Sequence, residues 1–315
     1  MDLSIVLPVV TPCSRAGEVD LEGLRSVCRA MVDAGCTGIF VAGSTGRGPW
    51  FNREERSRMC RAAADAIGDR ATVLAGCMAS GLSDMLENAR AAAGAGAQVA
   101  VVTAPGYFNY NVQEVEQIFS RFADACPLPV MIYDIPGFAR VKLDGQMLVR
   151  LAHHGNIIGF KDSTEDFERF QWLLSAVVPC FRKGAVSDRG GFLLLQGKER
   201  LLAESLRLGA SGFVVSLLHV DPLPFVALSR AAHAGHVVLA ANHQAGVNRL
   251  MDLIEQCFAR RPETSTFFHL LNWTLRHKGI CQNILLDHEG DCPDWLADAG
   301  RQALDVCQAA NSIVH

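Results

Sequence analysis

Residues 130–161 read VMIYDIPGFARVKLDGQMLVRLAHHGNIIGFK, and this stretch decides the fold. The apolar run VMIY is broken by Asp134, Pro136 and Gly137, and a segment with helical spacing follows. A second apolar run, IIGFK, then closes the stretch. Two parallel strands need such a helical crossover between them, and the crossover is right-handed in nearly all proteins. The stretch therefore predicts one strand–helix–strand unit.

The same unit recurs along the chain about every 30 residues, the usual length of such a repeat. A short apolar run alone cannot be distinguished from a piece of buried helix, but regular alternation with helical segments favours strands. The predicted strands are 4–10, 37–41, 71–75, 98–102, 130–133, 157–161, 180–182 and 211–215. The predicted helices between them include 21–34, 53–67, 83–93, 112–125, 143–152 and 167–176. Eight alternating units predict an α/β fold, a closed (β/α)8 TIM barrel.

The strand signals stop near residue 222, and the remaining sequence has mostly helical spacing. No change in composition marks an independent second domain. We therefore expect the barrel to occupy residues 1–222. Residues 223–315 are expected to form a C-terminal helical extension, packed on the barrel in a single structural unit.

The composition limits the class of protein. Half of the 315 residues are hydrophobic, 20% are charged and the net charge is −4, which is the balance of a compact α/β protein. Without a long run of one charge, we expect neither a nucleic-acid nor a membrane partner. The first residues, MDLSIVLPVVTP, lack the features of a signal peptide, so a cytoplasmic location is expected. The eleven cysteines form no C-x-x-C pair, which is typical of buried apolar side chains.

Lys161 ends a strand that is otherwise apolar. In a barrel of this class, the carboxyl ends of the strands form the floor of the active site. A desolvated amine is more readily held in the neutral form that attacks a carbonyl carbon. The run alone leaves an alternative open, in which the lysine reaches solvent or pairs with Asp162.

Two further strand ends carry polar groups. Tyr133 ends the strand 130–133, and the loop GSTG follows the strand 37–41. Small residues let backbone N–H groups approach a carboxylate, and two hydroxyls add donors or relay protons. Neither phosphate-binding pattern, G-x-x-x-x-G-K-[ST] or G-x-G-x-x-G, is present. For the loop taken alone, a simple turn stays an alternative.

Together these features resemble the dihydrodipicolinate synthase and N-acetylneuraminate lyase superfamily of class I pyruvate aldolases. The resemblance rests on Gly43-Ser44-Thr45-Gly46, Tyr133-x-x-Pro136-Gly137 and Gly159-Phe160-Lys161-Asp162. It covers residues 3–220 clearly. The combination is specific for the superfamily and not for one substrate.

The resemblance implies a role for each matching residue. Lys161 would form a Schiff base with pyruvate or a related 2-oxo acid, and the protonated imine would act as electron sink for carbon–carbon bond cleavage or formation. Tyr133 would be the general acid and base. Ser44 would link it to Tyr107, a position that relatives donate across a subunit interface. The substrate-binding residues expected on this basis are Thr45, Gly43, Gly46 and Val215. The resemblance also implies a homotetramer, a dimer of dimers, that needs no cofactor.

Two of the departures from the family pattern concern residues expected to bind substrate. Arg47 stands where a glutamate often follows the GSTG-type loop; it could bind a substrate carboxylate or hydroxyl, or form a surface salt bridge with Glu54 or Glu55. Phe138 stands where the synthase commonly carries an arginine that recognises the second substrate, and the nearest arginine is Arg140. Both departures are expected to reshape the distal substrate pocket, and they weaken the identification as dihydrodipicolinate synthase proper.

Several functions therefore stay open beside the leading one. Dihydrodipicolinate synthase proper and a keto-deoxy sugar acid dehydratase would use the same imine chemistry. A metal-dependent aldolase would need histidine or acidic ligands at the strand ends, where no histidine is found; no metal site is predicted, since His233, His236 and His243 lack a completing ligand. A non-catalytic binding relative is the remaining class. The presence of Tyr133 and Lys161 argues against it, and the altered pocket positions keep it open.

Overall fold

The computed structural model describes residues 1–182 and 191–311. Within them, parallel strands form a closed barrel, each strand pairing with the next along the chain and the last with the first. The strands are β1 Ile5–Pro8, β2 Gly38–Val41, β3 Thr72–Gly76, β4 Val99–Val102, β5 Val130–Asp134, β6 Ile157–Asp162, β7 Leu193–Gln196 and β8 Gly212–Val214. The predicted (β/α)8 barrel is confirmed.

Helices connect the strands and cover the outside of the barrel. They are α1 Leu21–Asp33, α2 Arg53–Ile67, α3 Leu82–Gly94, α4 Val112–Ala125, α5 Pro136–Ala139, α6 Gly145–Ala152, α7 Phe167–Arg182 and α8 Leu202–Arg207. Helices α2 and α4 begin where the sequence predicts because Asn52 and Asn111 each form a capping box, which marks a helix start in the sequence. None of the helices in the described ranges combines the length and apolarity of a membrane span.

The seventh predicted strand is wrong. Residues 180–182 end helix α7, and the seventh strand is β7, which pairs with β6 and β8. A three-residue apolar run carries no period that could separate a strand from the end of a helix. The other seven predicted strands overlap the observed ones.

Within the described part of the chain, four α-helices follow the barrel, which confirms the helical C-terminal segment: α9 Leu223–His233, α10 Val237–Arg260, α11 Thr264–His277 and α12 Asp294–Asn311. Helix α9 contacts β1 and α8. Helix α10 contacts α8, and α11 contacts the short 3-10 helix Ser216–His219 that follows β8. The division of the chain at residue 222 into a barrel and an extension of one unit stays a prediction.

Side chains fill the inside of the barrel. An inner cluster contains Val6, Phe40, Met131, Tyr133 and Val214, among others, and a larger cluster lies between the strands and the helices. Successive residues of a strand point to opposite faces, so each strand contributes to both clusters. The inner cluster packs against Lys161 and includes the strand-end residue Tyr133.

The cysteines whose side chains the structure describes form no disulfide, and all of them except Cys292 are buried. Burial raises the pKa of the Cys28 and Cys60 thiols to about 12. Buried protonated thiols are poor nucleophiles. These cysteines therefore act as apolar side chains, as their spacing predicted.

Candidate active site

Lys161 and Tyr133 lie side by side at the carboxyl ends of β6 and β5, where they are partners in the strand register. Lys161 is 4% exposed and Tyr133 is 3% exposed. The Lys161 Nζ atom lies 3.8 Å from the centroid of the Tyr133 ring and 5.4 Å from that of Phe40. The strand pairing thus brings the two predicted catalytic residues together inside the barrel.

The Lys161 amine forms no ion pair with any carboxylate in the described ranges. The neighbouring Asp162 instead bonds Arg169, with 3.1 Å between Nη1 and Oδ2, and accepts a hydrogen bond from Thr164. The alternative of an exposed or Asp162-paired lysine is therefore wrong. Burying an amine without a counter-ion is unfavourable, so such a group is typical of a functional site.

The GSTG loop makes a tight turn after β2. The Arg47 N–H donates to the Ser44 carbonyl at 3.0 Å, and the Gly48 N–H donates to the Gly43 carbonyl at 2.9 Å. These bonds fold the loop back on itself, so that Ser44 and Thr45 lie at its tip. Both are half-buried beside the carboxyl ends of the strands.

Contacts from the first and last strands brace this loop. The Thr11 hydroxyl, from the loop after β1, donates to the Gly46 carbonyl at 2.7 Å. A Cβ atom at Gly46 would lie 2.7 Å from the Val9 carbonyl oxygen, so a larger residue would push the loop away. The Thr45 hydroxyl lies 3.5 Å from that of Ser216, which follows β8. The loop therefore has a fixed position at the rim of the barrel.

Arg47 leaves the loop in a left-handed backbone conformation and turns toward the C-terminal segment. Its Nη2 atom lies 2.6 Å and 2.7 Å from the two carboxylate oxygens of Glu289, and its Nη1 donates to the Ile284 carbonyl at 2.6 Å. The guanidinium carbon lies 3.6 Å from the centroid of the Phe268 ring. The predicted salt bridge with Glu54 or Glu55 is wrong, because the backbone directs the side chain to a buried partner instead. Substrate binding by Arg47 would require this pair to open.

Breaking the Arg47–Glu289 pair is expected to destabilise the protein. Glu289→Gln should lower the free energy of unfolding by about 3–5 kcal/mol, because it leaves a buried guanidinium without its counter-charge. The double variant Arg47→Met/Glu289→Gln should recover part of this loss, since no unpaired charge remains. Urea unfolding of the two single variants and the double variant measures the coupling.

The matched control for this double-mutant cycle is the single variant Arg53→Gln, which breaks an exposed ion pair with Asp84. Its effect should stay below about 1 kcal/mol. Strictly additive losses from Arg47 and Glu289 would contradict a direct pair.

His219 ties together the loops after β1 and β8, and the sequence did not indicate it. The Val10 N–H donates to its Nε2 at 3.1 Å, and its Nδ1 donates to the Ser216 carbonyl at 2.7 Å. The ring is fully buried, and this burial lowers the pKa of His219 to about 4. The imidazole is therefore neutral and structural at neutral pH.

The pKa of His219 predicts a loss of stability in mild acid. His219 in the unfolded chain takes up a proton at the usual histidine pKa of 6.5, but in the folded chain only near 4. The contribution of His219 to the free energy of unfolding is therefore fully present above pH 6.5, and about 3 kcal/mol of it is lost as the pH drops to 4. His219→Gln should remove this trend, because glutamine keeps a donor and an acceptor without titrating.

The measurement is the difference in unfolding free energy between the two proteins from pH 7 to pH 4. Burial raises the pKa of Asp134 to about 6, which adds stability as the pH falls, but this trend is common to both proteins and cancels. A difference that does not change with pH would contradict the assignment.

Tyr107 and Phe138 form an aromatic rim outside the buried site. Tyr107, in the loop between β4 and α4, is 72% exposed and contacts the Phe108 ring edge-on at 4.9 Å between centroids. Phe138, on α5, is 70% exposed. Within the described ranges of this single chain, Tyr107 makes no hydrogen bond with Ser44 or Tyr133, so the predicted relay is not assembled here.

The remaining predicted position is Val215, which is buried directly after β8 at the start of the 3-10 helix Ser216–His219. No group of three or more histidine, cysteine, aspartate or glutamate side chains in the described ranges is placed to hold a metal ion. The chemistry that the barrel end offers is that of an amine, a phenol, hydroxyls and backbone N–H groups.

Comparison with known proteins shows the family to which the chain belongs. The model of the dihydrodipicolinate synthetase family matches residues 2–286. The chain is 35% identical to a 4-hydroxy-tetrahydrodipicolinate synthase of Kineococcus radiotolerans, over 75% of this chain and 73% of that protein. It is also 35% identical to 4-hydroxy-tetrahydrodipicolinate synthase 2 of Streptomyces coelicolor, over 74% of each.

Solved structures show the same fold at lower identity. Dihydrodipicolinate synthase from Aquifex aeolicus is 22% identical, with a TM-score of 0.83 over 97% of this chain and 98% of that one. A prophage protein of the dihydrodipicolinic acid synthase family from E. coli K12, solved in complex with pyruvate, is 24% identical, with a TM-score of 0.84 over 98% of each chain. By the family match and the 35% identical relatives, the chain belongs to the dihydrodipicolinate synthetase family and is an enzyme of the lyase and synthase type.

Proposed function

We propose that the chain forms a Schiff base between Lys161 and the ketone of pyruvate or a related 2-oxo acid. The observation that carries the proposal is the buried Lys161 amine, which lies against the Tyr133 ring without a carboxylate partner in the described ranges. The neutral amine adds to the ketone carbon, and loss of water then gives the imine. The protonated imine accepts the electron pair of a bond to the neighbouring carbon, so that a carbon–carbon bond there can break or form.

Tyr133 supplies the proton transfers in this proposal. Its hydroxyl makes no hydrogen bond to a protein group in the described ranges, which leaves it available to the substrate. It would protonate the departing hydroxyl and move a proton to and from the carbon beside the imine. We propose that Ser44 connects it to the Tyr107 of a neighbouring subunit, since Tyr107 is exposed on its own chain. That arrangement requires an oligomer, for which we propose the homotetramer.

The braced loop after β2 is proposed to hold the substrate carboxylate. The Thr45 hydroxyl and the backbone at Gly43 and Gly46 offer donors at a fixed position near Lys161, and Val215 would cover the site from the β8 side. Backbone N–H groups arranged in a tight turn are a common binding site for small anions. No cofactor is part of this proposal, and the expected location is the cytoplasm.

The identity of the second substrate, and so the overall reaction, depends on the exposed aromatic rim. The curated relatives reported above are named 4-hydroxy-tetrahydrodipicolinate synthases, which favours a synthase. Phe138, an exposed ring where the synthase commonly carries an arginine, weakens the case for the synthase proper and keeps a keto-deoxy sugar acid dehydratase as the second candidate. Incubation with such a sugar acid, followed by product analysis, tests this candidate directly.

The imine proposal can be tested without knowledge of the second substrate. In D₂O, the enzyme should exchange the methyl protons of pyruvate for deuterium, because the imine and its enamine interconvert at that carbon. Proton NMR would follow the loss of the methyl signal. Absence of exchange with pyruvate and with a panel of longer 2-oxo acids, in a folded enzyme, would overturn the proposal.

A further inference from the structure

Two carboxylates lie directly behind the catalytic pair. Asp134 follows Tyr133 on β5, Asp162 follows Lys161 on β6, and the two aspartates are partners in the strand register. Because side chains alternate along a strand, both point away from the barrel interior, toward helix α7. Both are buried. Like charges directly opposite each other on paired strands repel.

Arg169 of helix α7 bridges these two carboxylates. Its Nη2 lies 2.6 Å from Asp134 Oδ2, and its Nη1 lies 3.1 Å from Asp162 Oδ2. The arginine side chain is 10% exposed. The planar guanidinium fork can bond two carboxylates at once in a fixed geometry, which an ammonium group cannot do.

Neighbouring groups hold the bridge in place. The Thr164 backbone N–H and hydroxyl each donate to Asp162 Oδ1 at 2.7 Å, and Asp166 caps the first turn of α7 through the Arg169 N–H at 3.0 Å. Lys142 bonds the other carboxylate oxygen of Asp166 at the surface and takes no part in the bridge. The charged groups facing Asp134 are thus Arg169 and Asp162, and burial raises the pKa of Asp134 to about 6.

We propose that Arg169 is a positioning residue of the active site. By bridging Asp134 and Asp162, it fixes the ends of β5 and β6 at one spacing and so holds Tyr133 against Lys161. Without the bridge, two buried carboxylates face each other, and either the strands separate or one carboxylate takes up a proton. The inference rests on the proposed Schiff-base function of Lys161.

The removal of Arg169 should therefore make the site sensitive to pH. Arg169→Met is expected to lower kcat for methyl-proton exchange of pyruvate by about 10- to 100-fold at pH 8, a typical result of a small misplacement of reacting groups. KM should change much less. The ratio of the variant rate to the wild-type rate should rise toward pH 6, where protonation of one aspartate relieves the repulsion. Arg169→Met/Asp134→Asn should recover activity at pH 8, because one of the two charges is gone.

Matched variants keep the test decisive. Arg150→Met breaks an exposed pair with Glu116 and should leave the exchange rate unchanged at every pH. If Arg169→Met does not fold, Arg169→Lys takes its place; because an ammonium group keeps the charge but cannot bridge both carboxylates, kcat should fall several-fold with a weaker trend in pH. Absence of exchange in the wild type would reject the proposed function. The positioning role alone would be overturned by a different result. In that case the wild type exchanges, the Arg169 variant has an unchanged kcat, and the ratio of the variant rate to the wild-type rate is constant across pH.

Discussion

Replacing Lys161 with methionine is expected to lower turnover by about 10⁴-fold or more, because no other group substitutes for a covalent nucleophile. Methionine fills nearly the same space, and the contacts with the Phe40 and Tyr133 rings can be kept. It also removes a buried amine that lacks a carboxylate partner in the described ranges. The variant should therefore be at least as stable as the wild type, which separates a catalytic loss from a folding defect.

Two measurements test Lys161→Met: the rate of pyruvate methyl-proton exchange gives turnover, and urea unfolding gives the free energy of unfolding. Lys142→Met is the matched control, since Lys142 forms an exposed pair with Asp166. It should keep the wild-type exchange rate. Retention of substantial exchange by Lys161→Met would assign the imine to another amine.

Replacing Tyr133 with phenylalanine is expected to lower kcat by about 10²- to 10⁴-fold, the usual contribution of a positioned general acid and base. The ring that packs against Lys161 is retained, and the hydroxyl bonds no protein group in the described ranges. Binding of pyruvate and the free energy of unfolding should therefore change little. The imine should still form, but slowly.

Steady-state exchange kinetics would divide the effect of Tyr133→Phe between kcat and KM. Tyr110→Phe, at a half-buried ring outside the barrel, is the matched control and should have no effect. A loss confined to KM would mean that the hydroxyl binds the substrate rather than moving protons.

The barrel and the proposed catalytic pair, Tyr133 and Lys161, could be predicted from the sequence because both depend on local patterns. Alternating strands and helices predict the barrel, and the period of two along a strand brings the strand-end residues Tyr133 and Lys161 to the same face. Strand β7 was missed because a four-residue apolar run has no clear period. Family resemblance, and not spacing, supplied the chemical roles.

The buried charged contacts could not be predicted from the sequence in the same way. Arg47 and Glu289 are 242 positions apart, and no local pattern connects them. Arg169 had a visible signal: an aspartate follows both Tyr133 and Lys161, which predicts two acids side by side on the outer face and hence a need for a cation. The position of that cation on helix α7 required the structure.

Reduction with borohydride in the presence of pyruvate tests the central claim most directly. The account predicts one reduced pyruvate adduct per chain by intact mass, located by peptide mapping on Lys161 and absent from Lys161→Met. No adduct with pyruvate or with longer 2-oxo acids, or an adduct on a different lysine, would contradict it.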